Sequence, residues 1–269
     1  MTSTLDVLAF EAWRRRRGVL MLSVVLAALI FLTVGLFPTI EESSDALEAY
    51  IESLPDDARR AFVGDAGTIT TIEGYLASQL YQTAWLLLLG VYYAYAGASL
   101  VASEVENRSI EFLLVVPLSR TRIVVGKFAA LFASILAVNV LSMVAVDVAL
   151  SSIGEQVDPV HLGLVHALSL PYLLACAGLG LLVSVRFDET RRAQSLAIGA
   201  VFAMFILDNL TFDTDLEWVG TIAFSRYYDP ADLLVDGTVD IAHLAALVVA
   251  IVGTLVVSAE LFERRDVPG

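Results

Sequence analysis

The chain has 269 residues, of which 58% are hydrophobic, and a mean hydropathy of +0.77. Soluble domains average roughly 45–50% apolar residues. Here the apolar residues also fall in long blocks, which excludes a water-soluble globule and leaves an all-α polytopic membrane protein with six transmembrane helices. The formal net charge is −14 and Lys127 is the sole lysine. That balance argues against nucleic acid as a partner, because neutralising phosphates takes clustered Lys and Arg. The single cysteine, Cys176, rules out a disulfide within one chain and a cysteine-built metal site.

Residues 1–17 open the chain with Leu5, Leu8, Ala9, Ala12 and Trp13 on one helical stripe, flanked by Glu11 and by arginines at 14–17. The pattern predicts an amphipathic interfacial helix with Trp13 at headgroup depth. Residues 18–37 carry no charge and suffice for a first span at ~1.5 Å per residue across a ~30 Å hydrocarbon core. Residues 38–80 form a polar, acidic region outside the membrane. Within it Leu47, Tyr50, Ile51 and Leu54 recur at helical spacing after Ser44 or Asp45, and Pro55 follows. A second short helix is expected at 56–63, ending at Gly64, so the region reads as a small helical outer cap.

The second span is placed at 81–103, at the end of an uncharged stretch that begins at residue 74. Gly90, Ala94 and Ala98 are spaced four apart, the close-packing pattern of membrane helices. Tyr92, Tyr93 and Tyr95 lie too deep for an aromatic belt. They are candidates for lining a substrate path, and the plainer alternative is that their hydroxyls bond across to other helices.

Residues 104–118 are charged and patterned. Glu104 and Arg108 stand four apart on one helical face, and Glu111 comes three later. Ile110, Leu113 and Leu114 give an apolar face, Pro117 stops the helix, and Ser119 can cap the next one. This sequence, with Glu106 before it and Pro117-Leu118-Ser119-Arg120 and Gly126-Lys127-Phe128 after it, resembles the first cytoplasmic loop of ABC-2 type permeases, in particular the NosY-like and haloarchaeal group. Ser109-Ile110 stands where that family usually has Gly-Thr. The resemblance implies a coupling helix at 104–118 that meets a separate ABC ATPase subunit through Glu104, Arg108, Ile110, Glu111, Leu113, Leu114 and Pro117. It also implies a second permease copy, and ATP and Mg held by the ATPase, with no cofactor bound by this chain. The acid-rich, lysine-poor exterior is similar to that of proteins from salt-loving archaea. Of 30 acidic residues, 19 lie in three loops.

The third span is expected at 119–150, with Asn139 near its middle as a candidate for helix packing or a pathway. The fourth follows at 162–185. His161 and His166 are five apart and so on different helix faces, unlike a zinc-binding i, i+4 pair, and no metal site is expected. The fifth span, 193–210, holds only fifteen uncharged residues, 193–207, so Asp208 must lie close to the outer surface or the bilayer must thin there. Residues 211–240 are acidic and aromatic and read as an element lying on, or re-entering, the outer interface. The sixth span is placed at 241–262.

Thirteen of the sixteen basic residues collect at alternate ends of these spans. By the positive-inside rule those ends, and both termini, are cytoplasmic, in a multi-pass protein of the cell membrane. No G-x-x-x-x-G-K-[ST], H-E-x-x-H, C-x-x-C or G-x-S-x-G occurs. No catalytic residue is expected, and ATP hydrolysis falls to another subunit. The reading that results is the permease of an exporter. A channel would need polar or charged rings in its spans, and a membrane hydrolase would need paired acids or histidines at depth.

Overall fold

A computed structural model describes residues 4–41, 71–107 and 119–264, with side chains from residue 8 onward. The cap helices expected at 47–54 and 56–63, and loop residues 108–118, lie outside the described residues. Among the described residues the chain is helical and contains no strand. Its elements are α1 (Thr4–Glu41), α2 (Ile72–Tyr75), a π-helical stretch (Leu76–Leu89), α3 (Gly90–Ala98), α4 (Ala102–Glu106), α5 (Arg120–Ile153), α6 (Pro159–Ser184), α7 (Thr190–Thr211), α8 (Glu217–Gly220), a 3-10 turn (Phe224–Tyr227), a short π-helical turn (Asp232–Asp236) and α9 (Ile241–Glu263). Six helical runs are long and apolar enough to cross a membrane: Leu8–Glu41, Ile72–Glu106, Arg120–Ile153, Pro159–Ser184, Thr190–Thr211 and Ile241–Glu263.

Several boundaries differ from the sequence reading. No break separates residues 4–17 from 18–37, because α1 runs unbroken through the arginines. Arginine is a good helix former, and Glu11 folds inward against Lys127, so charge does not end this helix. The helix also continues past Pro38 to Glu41, and the second helical run begins at Ile72, so both ends of the region assigned to the cap belong to helices.

Three of the later helices start at a local cap, and α5 also ends at a local turn. Ser119 Oγ accepts from the Arg122 amide at 3.4 Å to begin α5, and Gly154 ends it with a left-handed φ of +85°. Asp158 accepts from the Val160 amide at 2.7 Å and Pro159 takes the first turn of α6. Asp240 Oδ1 accepts from the Ala242 amide at 2.7 Å to start α9.

The second and fourth spans form the centre, with 61% and 56% of their most apolar windows buried, against 17% for the first and fifth and 11% for the sixth. Small residues bring the two central helices together. A Cβ on Gly97 would collide with the Ala177 carbonyl, and one on Gly180 with the Ala94 carbonyl. Gly90 leaves room for the Tyr172 hydroxyl, which donates to the Leu86 carbonyl at 2.6 Å. π-Helical segments are mostly single turns, and one of 14 residues lies against these partners. Its buried residues are Leu76, Ala77, Leu80, Tyr81, Ala84, Trp85, Leu86 and Leu89.

Candidate functional site

Two polar groupings stand out in this apolar bundle. The first lies at the arginine-rich end, where the second span turns toward the third. The helix breaks after α3, and Ser184 Oγ on α6 accepts from the Val101 and Ala102 amides, each at 2.9 Å. That double bond satisfies the freed donors and sets the direction of α4. Glu104 on α4 then points inward. Lys127 Nζ, from the foot of α5, donates to Glu104 Oε1 at 2.9 Å and to Glu11 Oε1 of α1 at 2.6 Å. Arg14 reaches Glu104 at 3.3 Å and Glu11 at 3.7 Å. Glu11, Glu104 and Lys127 keep only 4%, 7% and 3% of their surface. Two carboxylates thus meet the Lys127 ammonium and the Arg14 guanidinium, and Arg15 Nε lies 3.8 Å from Glu11 Oε2, so each buried carboxylate is compensated, as burial requires.

Further bonds at the same end tie the neighbouring spans. Glu106 Oε2 accepts from the Thr190 amide at 3.0 Å and so caps the start of α7. Arg120 donates to the Phe262 carbonyl at 3.1 Å, and Thr121 bonds to Glu263 of α9. The helices on either side of 108–118 are thus tied to α7 and α9.

The second grouping is buried between the second, third and fourth spans. Asn139 Nδ2 donates to the Ile135 carbonyl at 3.1 Å, which orients its amide. Its Oδ1 then accepts from Trp85 Nε1 at 3.1 Å, from Ser169 Oγ at 2.8 Å and from His166 Nδ1 at 3.2 Å. An amide oxygen only accepts, so His166 carries its proton on Nδ1. Its Nε2 is hydrogen-bonded to the Tyr81 hydroxyl at 3.0 Å. In hydrocarbon such groups bond to one another or not at all, and this set has closed on itself.

The residues singled out in the sequence are distributed as follows. Glu104 sits in the ionic cluster. Arg108, Ile110, Glu111, Leu113, Leu114 and Pro117 lie outside the described residues. Tyr93 is buried, whereas Tyr92 and Tyr95 are 36% and 42% exposed on the outside of the bundle. Gly90 and Ala94 pack against α6, and Asn139 is the hub of the buried network. Sequence reasoning missed Lys127 as the shared partner of Glu11 and Glu104, Trp85, His166 and Ser169 as partners of Asn139, and Tyr81 as the partner of His166. For Lys127 a signal was present: a lone lysine at a membrane boundary in a chain that otherwise uses arginine. His161 bonds to the Leu234 carbonyl at 3.1 Å, far from any role with His166. Among the described residues no group of three His, Cys, Asp or Glu side chains is placed to hold a metal ion.

At the opposite end, the segment after α7 folds back on the bundle. Tyr228 is buried, its hydroxyl donating to the Val165 carbonyl at 3.0 Å and its ring stacked on Tyr172. Burial pushes the Tyr228 phenol well above its ordinary range. Burial, then the neighbouring Asp229 and Asp236 carboxylates, raise Asp232 above the usual carboxylate range.

No curated protein matches this chain. A family model described as ABC-2 family transporter protein matches residues 10–267, a range that takes in all six spans, the ionic cluster and the buried network, and the chain belongs to that family.

Proposed function

We propose that this chain is the permease of an exporter in the cell membrane, with 104–118 as the element that docks on a separate ATPase subunit. Family membership makes the chain the transmembrane component of an ABC transporter and implies association with an ABC ATPase. The observation that carries the docking proposal is the anchoring of the loop at both ends. Its leading end is held by Glu104 in the ionic cluster and its trailing end by the Ser119 cap and Lys127. A push on the loop is thereby delivered to the first, second and third spans together.

In this reading Ile110, Leu113 and Leu114 supply the apolar anchor, and Arg108 and Glu111 supply a polar rim, the usual division at protein interfaces. The ATPase holds ATP and Mg. Two permease copies make the pathway, and both termini face the cytoplasm, as the arginine distribution supports. The test is Leu113→Asp combined with Arg108→Glu, followed by affinity purification and mass spectrometry for a Walker-motif protein. The expected result is normal membrane insertion, loss of the ATPase from the complex and loss of ATP-driven transport. A double variant that retains the ATPase at wild-type yield overturns the docking assignment.

A further inference from the structure

At the end of the bundle opposite the ionic cluster, α6, α9 and the chain leading into α9 enclose a cleft. Leu168 of α6, Leu233 and Leu247 of α9 line it with apolar surface. Tyr227 and Tyr228 add aromatic rings, and Asp229, Asp232 and Asp240 add carboxylates. The empty space amounts to about 370 Å³, open mouth included. Among the described residues that line it, none is a lysine or an arginine, and His243 is the one basic side chain. The His243 ring stands nearly perpendicular to that of Tyr227, with centroids 5.5 Å apart.

Local bonds bring these groups to one place. Asp229 Oδ1 accepts from the Ala231 amide at 2.8 Å, which fixes the turn that carries Asp232. Gly237 reverses the chain with a left-handed φ of +64°, and the Thr238 amide donates back to the Asp232 carbonyl at 3.0 Å. Asp240 caps α9 and lines the same cleft. The tyrosine hydroxyls are engaged elsewhere, Tyr228 with the Val165 carbonyl at 3.0 Å and Tyr227 with the Thr221 carbonyl at 2.5 Å. What the two tyrosines leave to the cleft is ring surface. Among the described residues the Asp232 carboxylate accepts no hydrogen bond. Burial, then Asp229 and Asp236, hold it above the usual carboxylate range, a strain that a cation in the cleft relieves.

We infer that this cleft is a binding site for an organic ammonium of the quaternary, choline-like kind. A quaternary ammonium donates no classical hydrogen bond, so it is held by aromatic rings and by nearby negative charge. Tyr227 and Tyr228 supply the rings, Asp229, Asp232 and Asp240 supply the charge, and the leucines cover the methyl groups. An anion is repelled by the three carboxylates. A metal ion such as Ca²⁺ needs about six to eight oxygen ligands, and among the described residues no group of three His, Cys, Asp or Glu side chains is placed to hold one. The space lies at the small end of ligand pockets, which suits a head group. That group arrives either on a free solute or on a phosphatidylcholine lipid.

The experiment is equilibrium dialysis of choline against the full chain in an uncharged maltoside detergent, beside dimethylbutanol, an uncharged isostere of the same shape. Choline should bind saturably, and the isostere about tenfold more weakly or less. Asp232→Asn combined with Asp229→Asn should weaken choline by about tenfold or more. Both changes keep the oxygen that the turn uses, and thermal unfolding checks that the fold persists. Tyr227→Leu removes a ring and no charge, and it should also weaken choline. Equal binding of choline and its isostere would show that charge is not read and overturn the inference. Choline binding unchanged in the double variant, or in Tyr227→Leu, would place the cation elsewhere and overturn it too. A second arm examines by native mass spectrometry the protein extracted from mixed phosphatidylcholine and phosphatidylglycerol vesicles. Phosphatidylcholine retained by wild type and lost from the double variant, with no free choline bound, identifies a lipid as the source. Capture of neither choline nor phosphatidylcholine sinks the proposal.

Discussion

Lys127 ties the first, second and third spans together through Glu11 and Glu104. Its buried ammonium bonds to both Glu11 and Glu104, whereas Arg14, which also reaches both, has a side chain 57% exposed. Removing one partner of a buried ionic set costs about 3–5 kcal/mol, whereas removing charge in balance is often nearly neutral. Lys127→Met should therefore lower the unfolding temperature in detergent sharply. Lys127→Met combined with Glu11→Gln should recover most of that loss, because fewer uncompensated charges stay buried. Equal destabilisation by the single and double variants would mean that the uncompensated Glu11 carboxylate is not the source of the loss. The same residue shows where the sequence stops being readable. Glu11 and Lys127 are 116 positions apart and Arg14 and Glu104 are 90 apart. No local spacing rule reaches that far, so Glu11 looks like a flanking charge until the fold brings Lys127 to it.

Helices, by contrast, were largely visible, since blocked apolar residues demand spans whatever their partners. Their ends were less so. Charge was read as a boundary at residue 18, yet α1 passes straight through because its charges find partners on α4 and α5. The π-helical stretch had no signal at all: LASQLYQTAWLLLL reads as an ordinary apolar helix. Glycine spacing was more informative, and it separates two kinds of glycine. Gly97 and Gly180 face backbone carbonyls that cannot withdraw, whereas Gly163 and Gly253 have nothing within 4 Å of a Cβ. Alanine at Gly97 or Gly180 must push the second and fourth spans apart, a loss of about 1–3 kcal/mol for overpacking. Alanine at Gly163 or Gly253 should be neutral or stabilising by up to about 1 kcal/mol through helix propensity. Thermal unfolding of the four variants in one detergent checks the contrast. A uniform response would remove close packing as the reason for these glycines.

For the molecule as a whole, the arginine asymmetry predicts orientation, and surface cysteines can test it. Ser225 would be an unsuitable probe on the outer side, being only 8% exposed and bonded to Asp208. Asp215 is exposed and Ser53 lies in the acidic region between the first two spans. Cysteines at 53 and 215 should react with an impermeant maleimide in intact cells, and one at Arg192 only after lysis. The opposite pattern would invert the molecule. Fold class and span number were legible at this scale, because hydropathy is a property of the whole chain. The candidate site was legible only in part, since Asn139 and Glu104 could be picked out singly while the company each keeps is a matter of packing.

A solitary lysine with 3% of its surface exposed also makes the protein its own gauge. Amine-reactive reagents have one side-chain target in this chain, and they attack the uncharged amine only after it leaves both carboxylates. The modification rate of Lys127, read by mass spectrometry against a free-lysine standard, therefore measures how often the ionic cluster opens. Measured with and without nucleotide in the assembled complex, that single rate would time the opening against the transport cycle without any introduced label.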